Sequence, residues 1–124
     1  MFEIHIDFQS DEALYLQLYH QLILGIATSQ LREGDVLPSV RLMADSIGIN
    51  MHTVNKAYSL LRQDGLLSMD NRRGAVIRID ADHLRALQEL SLQLQKVLAR
   101  CVCRHVSREE VHEMVDGIFD SWGI

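Results

Sequence analysis

Gly48-Ile49-Asn50 constrains the fold of this chain more than any other feature, because it separates two apolar stripes that are each too short to be stable alone. Upstream, Val40, Met43, Ala44 and Ile47 recur at i, i+3, i+4 and i+7, the buried face of a helix. Pro38 and Ser39 mark its start, since proline is pre-set for a first turn and serine can satisfy an orphan amide. Gly48 suits its end, because glycine accepts the left-handed conformation that stops a helix. Asn50 can restart a helix as its N-cap, and Val54, Ala57, Tyr58 and Leu61 repeat the buried spacing until Asp64-Gly65. Two helices of about three and four turns, joined this tightly, must cross steeply as in a helix-turn-helix and share a core with neighbours.

Removing the buried face of the second helix leaves Met51, His52, Asn55, Lys56, Ser59 and Arg62. Met51, His52, Asn55 and Ser59 fall at i, i+1, i+4 and i+8, one outward strip that begins at the helix N-terminus. Residues there are the ones a recognition helix brings to base edges. Asparagine can bond two edge atoms of adenine, and methionine offers apolar contact to a thymine methyl. Next comes a short apolar run of Leu66, Leu67 and Met69, a turn of Asp70, Asn71, Arg72, Arg73 and Gly74, and a β-rich return over residues 75–79. This pattern predicts a wing with Arg72 and Arg73 at its tip, within reach of a minor groove or the phosphates beside it.

Leu37-Pro38-Ser39-Val40-Arg41-Leu42-Met43-Ala44, Gly48-Ile49-Asn50, Thr53-Val54, Ala57-Tyr58, Leu61 and Asp64-Gly65-Leu66-Leu67 together resemble the winged helix-turn-helix signature of the GntR transcription regulators. Leu14-Tyr15-Leu16-Gln17-Leu18 and Leu31-Arg32-Glu33-Gly34-Asp35 are similar to that family's first helix and following loop, so the resemblance spans roughly residues 10–77 in order and spacing. It implies that Arg41 reaches DNA from the start of its helix. The DNA-contacting set is then expected to comprise Ser39, Arg41, Asn50, Met51, His52, Thr53, Asn55, Lys56, Ser59, Arg72, Arg73 and Gly74. The chain departs from the family pattern in three ways. Ala13 stands where many relatives have proline, Met51 and Asn55 stand where relatives often carry arginine, and Arg72-Arg73-Gly74 replaces a Gly-x-Gly wing turn. The operator is therefore expected to be this chain's own.

The formal net charge of -5 runs against phosphate binding, which needs lysine and arginine. Between residues 36 and 79, however, six basic residues face three acids, a net +3, which leaves -8 for the remainder. So modest a basic patch calls for two copies acting together. At 124 residues and 48% apolar content the chain can build one ordinary domain and a small appendage. Neither a membrane-spanning run nor a charged-then-apolar leader is evident, so a cytoplasmic protein with no membrane partner is expected.

The last third reads as a device for pairing. Asp80-Ala81-Asp82 can start a helix in which Leu87, Leu90, Leu94, Val97 and Cys101 keep alternating steps of three and four, a seam for another helix broadened by Leu84, Leu92, Leu98 and Val102. Ser107 and Glu110 form a capping box, and Val106 and Val111 take the positions of a hydrophobic staple. Val111, Met114, Val115, Ile118, Phe119 and Trp122 continue as a second apolar stripe. Leu87, Leu90, Leu94, Val97, Leu98, Cys101, Val115, Ile118, Phe119 and Trp122 are the expected homodimer contacts. This two-helix tail resembles that of the YtrA subfamily, which implies dimerisation. A tail so small holds no roomy private pocket, so an effector would bind between subunits or domains.

Phe2, Ile4, Ile6 and Phe8 alternate with Glu3, His5 and Asp7, predicting a half-buried edge strand. Cys101, Cys103 and His105 form a C-x-C-x-H run, but on a helix Cys103 points away from the other two, so no metal site is expected. No nucleophile motif or phosphate loop is present, and neither catalysis nor a cofactor is expected. The expected fold is thus mostly α with a small β-wing: a winged helix-turn-helix over residues 1–80, then a two-helix dimerisation segment over 81–124. The expected function is a sequence-specific, homodimeric regulator, a repressor by the resemblance, on a palindromic operator in double-stranded DNA. A winged helix that serves as a protein-interaction module without sequence-specific DNA binding is the alternative.

Overall fold

A computed structural model describes residues 2–124. Seven elements follow in order: α1 (Leu14–Ala27), α2 (Val40–Ile47), α3 (Met51–Gln63), β1 (Leu67–Asp70), β2 (Gly74–Ile77), α4 (His83–Cys103) and α5 (Arg108–Ser121). They form two compact units, Met1–Asp80 and Ala81–Ile124. The chain is mostly helical with one two-stranded antiparallel sheet.

Local chemistry sets the helix boundaries of the first unit. Ser39 is the N-cap of α2, its side chain accepting from the Leu42 amide at 3.2 Å, and Gly48 ends that helix at φ 73°. A side chain at Gly48 would be strained at that φ. Asn50 caps α3, its carbonyl oxygen accepting from the His52 amide at 2.7 Å. Pro38 lies one residue before the cap rather than in the first turn, and its carbonyl accepts the Tyr58 hydroxyl at 2.7 Å. Burial pushes the Tyr58 phenol well above its ordinary pKa.

The core gathers around α3. Val54, Ala57, Tyr58 and Leu61 are buried against Leu18 and Leu22 of α1, Met43 and Ala44 of α2, and Leu67, Ala75 and Ile77 of the sheet. The strands pair Leu67 with Ile77 and Asp70 with Gly74 at the two ends of the ladder. A third segment extends this wing. Gly34 N donates to Ile77 O, Ile77 N to Asp35 O and Leu37 N to Ala75 O, each at 2.8 Å, with an antiparallel bridge between Val36 and Val76.

The expected N-terminal strand is not formed. Residues 2–7 are extended, with Phe2, Ile4 and Ile6 packed on the core and Glu3, His5 and Asp7 outward, but the alternation stops there, because Phe8 is 59% exposed. Side-chain amides replace the strand partner. Gln17 accepts from Asp7 N at 2.8 Å and donates to Asp7 O at 2.9 Å and Glu12 O at 3.0 Å. Gln21 accepts from His5 N at 2.9 Å and donates to His5 O at 2.7 Å. Phe2 also requires Gly25, because a Cβ built there would lie 2.6 Å from the Phe2 ring.

In the second unit, Asp82 caps α4 by accepting from Arg85 N at 3.1 Å, and Ser107 and Glu110 make both bonds of a capping box on α5. Accepting the Ser107 amide holds the Glu110 carboxyl below its ordinary pKa. The connecting turn places His105 at φ 64°. No residue of α4 or α5 is buried.

Gln17→Ala should lower unfolding free energy by about 1–3 kcal/mol, because three backbone groups lose their partner. Gln21→Ala, at an exposed site, should cost less. Urea denaturation gives the energies, and limited proteolysis should show residues 2–12 released first in Gln17→Ala.

Candidate nucleic-acid interface

With its inner face buried, α3 turns Met51, His52, Asn55, Lys56 and Arg62 outward, while Ser59 and Thr53 are half-buried. The outer strip starts at the N-terminus of the helix, where free amides and the helix dipole favour negative charge. Asn50 is exposed but its carbonyl oxygen is committed to capping, and the hydroxyl of Ser39 is committed in the same way on α2. Arg41 projects from the first turn of α2 and is exposed.

The two flanks of the strip differ. On one side Asn55, Ser59 and Arg62 line a shallow cleft of about 60 Å³ with Val40 and Met69, so the start of α2, α3 and β1 converge. Met69 belongs to the apolar run of the sequence but is 52% exposed, whereas Leu67 on the same strand face is buried. Its ladder partner Ala75 is buried in the core, while Met69 itself shares the cleft with Asn55. On the other side the Lys56 ammonium sits 3.9 Å from the centre of the Tyr15 ring, a cation–π contact to α1. Tyr15 carried no functional signal, because the two residues are distant in sequence and only packing of α1 on α3 joins them.

The wing turn is organised by Asp70, whose Oδ1 accepts the amides of Arg72 at 2.8 Å and Arg73 at 3.1 Å. These bonds, led by that from Arg72, hold the Asp70 carboxyl below its ordinary pKa, with the Arg73 and Arg78 charges adding to the effect. Gly74 opens β2 at φ 90°. Both arginines are exposed, but Arg73 Nη2 also donates to Gly34 O at 2.8 Å. At the far end of α3 the Tyr19 hydroxyl bonds the Asp64 carboxylate, and burial first and this bond second push its pKa up to about 12.

The expected pairing residues are uncovered in the single chain. Leu87, Leu90, Leu94 and Val97 on α4 and Val115, Ile118, Phe119 and Trp122 on α5 are 38–52% exposed, while Leu98 and Cys101 are half-buried. Leu98, Cys101, Val106, Val111 and His112 help line a groove of about 270 Å³ at the turn between the helices. Cys101 and Cys103 lie within α4 and His105 beyond it. Among the described residues no three His, Cys, Asp or Glu side chains are grouped to hold a metal ion, and no helix is long and apolar enough to cross a membrane.

The folded Asp70 pKa is depressed, so its support of the turn is complete above the ordinary aspartate value and is lost as pH falls through the lower folded one. In an acid titration followed by NMR, the Arg72 and Arg73 amide shifts should therefore move with a midpoint below the ordinary aspartate range. In Asp70→Ala they should lose that transition.

The family described as "Bacterial regulatory proteins, gntR family" matches residues 14–77, from the first helix through the wing. The HTH-type transcriptional repressor YtrA of Bacillus subtilis (strain 168) is 30% identical over 118 residues, 93% of this chain and 91% of that protein. Among solved structures, a transcriptional antiterminator from Listeria monocytogenes EGD-e has a TM-score of 0.83 at 27% identity, covering 98% of this chain and 92% of its own. YtrA from Sulfolobus acidocaldarius, a GntR-family transcription factor, is 37% identical with a TM-score of 0.60, over 73% of this chain and 97% of its own. Helix order, wing and the matched residues agree: this chain belongs to the GntR family of bacterial regulatory proteins, and within it is YtrA-like.

Proposed function

We propose that the chain is a homodimeric repressor that reads a palindromic operator through two copies of α3. Family membership makes it a DNA-binding transcriptional regulator. What carries the finer reading is the outer strip of α3, Met51, His52, Asn55 and Ser59, presented by a helix whose opposite face is locked in the core. In this reading Asn55 and Met51 select bases, while Arg41, Lys56 and the wing supply phosphate contacts. Repression is the printed activity of the Bacillus subtilis relative, which aligns over nearly the whole of both chains.

Pairing is supported by the apolar face of α4 and α5. Leu84, Leu87, Leu90, Leu92 and Val102 are each at least half exposed, which is costly in water unless another surface covers them. A two-fold partner covers both helices with one self-complementary contact. It also doubles a charge of only +3 over residues 36–79, and sets the two reading helices about one helical turn, roughly 34 Å, apart.

Selection of bound sequences from random duplex DNA should return a two-fold symmetric site. On that site Asn55→Ala should weaken binding by about 1–3 kcal/mol and relax preference at one position per half-site. Arg41→Ala should weaken binding similarly across sequences and lower the salt slope by about one. If both variants, folded by circular dichroism, bind as the parent does, the reading surface is wrong. No salt-sensitive, sequence-dependent binding at all would favour an interaction module instead. A chain ending at Asp80 should sediment as a folded monomer with much weaker operator binding. A dimer there would exclude the tail as the pairing element.

A further inference from the structure

Arg72 and Arg73 are neighbours with the same charge, yet the wing holds them differently. The Arg73 guanidinium donates from Nη2 to Gly34 O at 2.8 Å. Gly34 begins the segment that pairs with β2 through Gly34 N to Ile77 O, Ile77 N to Asp35 O and Leu37 N to Ala75 O. Arg73 therefore bonds the turn of the wing back to the start of its third segment. Arg72 uses only its backbone amide, donated to Asp70, and its guanidinium has no partner among the described residues. Asp70 also receives the Arg73 amide, so the turn holds its shape by itself. Swinging the Arg73 guanidinium away to reach a phosphate would give up the bond to Gly34 and loosen the wing, whereas moving Arg72 to one gives up no such bond. The resulting asymmetry belongs to this chain's Arg72-Arg73-Gly74 turn, which departs from a Gly-x-Gly wing.

We propose that Arg73 is a positioning residue that docks the wing turn onto the loop between α1 and α2, and that Arg72, not Arg73, carries the turn's charge to the phosphates beside the minor groove. The proposal rests on the DNA-reading function above, and one half of its test needs no DNA.

Arg72→Met and Arg73→Met keep an aliphatic stem and remove the guanidinium. In the free protein, Arg73→Met should speed amide exchange at Gly34, Leu37 and Ile77 by about two- to tenfold, the worth of one exposed hydrogen bond. Arg72→Met should leave them as in the parent, and the core amides of Leu22 and Leu61 should be unchanged in both. On the selected operator, Arg72→Met should lower the slope of log affinity against log salt by about 0.9, one phosphate contact. Arg73→Met should weaken binding by a factor that does not vary with salt. The proposal is overturned if Arg73→Met loses as much slope as Arg72→Met, if its wing amides exchange as in the parent, or if its core amides also speed up. A parent that binds no DNA would overturn the operator reading and the role of Arg72, while amide exchange would still decide that of Arg73.

Discussion

Everything in the first unit depends on α3 having one face buried in the core. Val54, Ala57 and Leu61 are fully buried and Tyr58 nearly so, touching α1, α2 and the sheet at once. Removing a large side chain from such a site costs about 2–5 kcal/mol, a large part of the stability of a domain this small. The same packing decides which side chains of α3 are left outside and at what angle. In the proposed reading, the surface that meets bases is the complement of this core.

Much of the remaining order comes from side chains that replace missing backbone partners. Gln17 and Gln21 hold an extended N-terminus that has no neighbouring strand, Asp70 folds the wing turn, and the Glu33 carboxylate accepts the Ile79 amide at 3.0 Å. A buried backbone group must find a partner somewhere. In a chain with only two short strands, amide and carboxylate side chains supply what a larger sheet would have provided. Several of these groups are charged or close to charge, so the wing and the loop beneath it share one electrostatic environment around Asp70, Arg73 and Arg78.

The helices were legible because their signals are local. Ser39, Gly48, Asn50, Ser107 and Glu110 stand where caps are needed, and apolar spacing gave the buried face of α3 residue by residue and that of α2 with Val40 and Ile47 only half-buried. The N-terminal strand was misjudged for an instructive reason. Alternation reports which side chains are buried, and Phe2, Ile4 and Ile6 are indeed inward, but it is silent on what the backbone bonds to. Met69 shows the converse: its spacing from Leu67 is that of one strand face, yet Leu67 is buried and Met69 is half exposed. Tyr15 against Lys56 and Arg73 against Gly34 are contacts between segments far apart in the chain, and no local pattern encodes such a meeting.

Residue order alone determined the helix-turn-helix, the wing, the outward strip of α3 and the apolar stripes of the tail, because each follows from spacing and capping chemistry within a few turns of chain. Tertiary structure decided how the candidate contacts are shared out. Packing of α1 on α3 brings Tyr15 under Lys56, and pairing of residues 34–37 with β2 brings a carbonyl within reach of Arg73 but not of Arg72. Two adjacent arginines are equivalent as sequence. They become different only when the chain folds back and gives one of them something to hold.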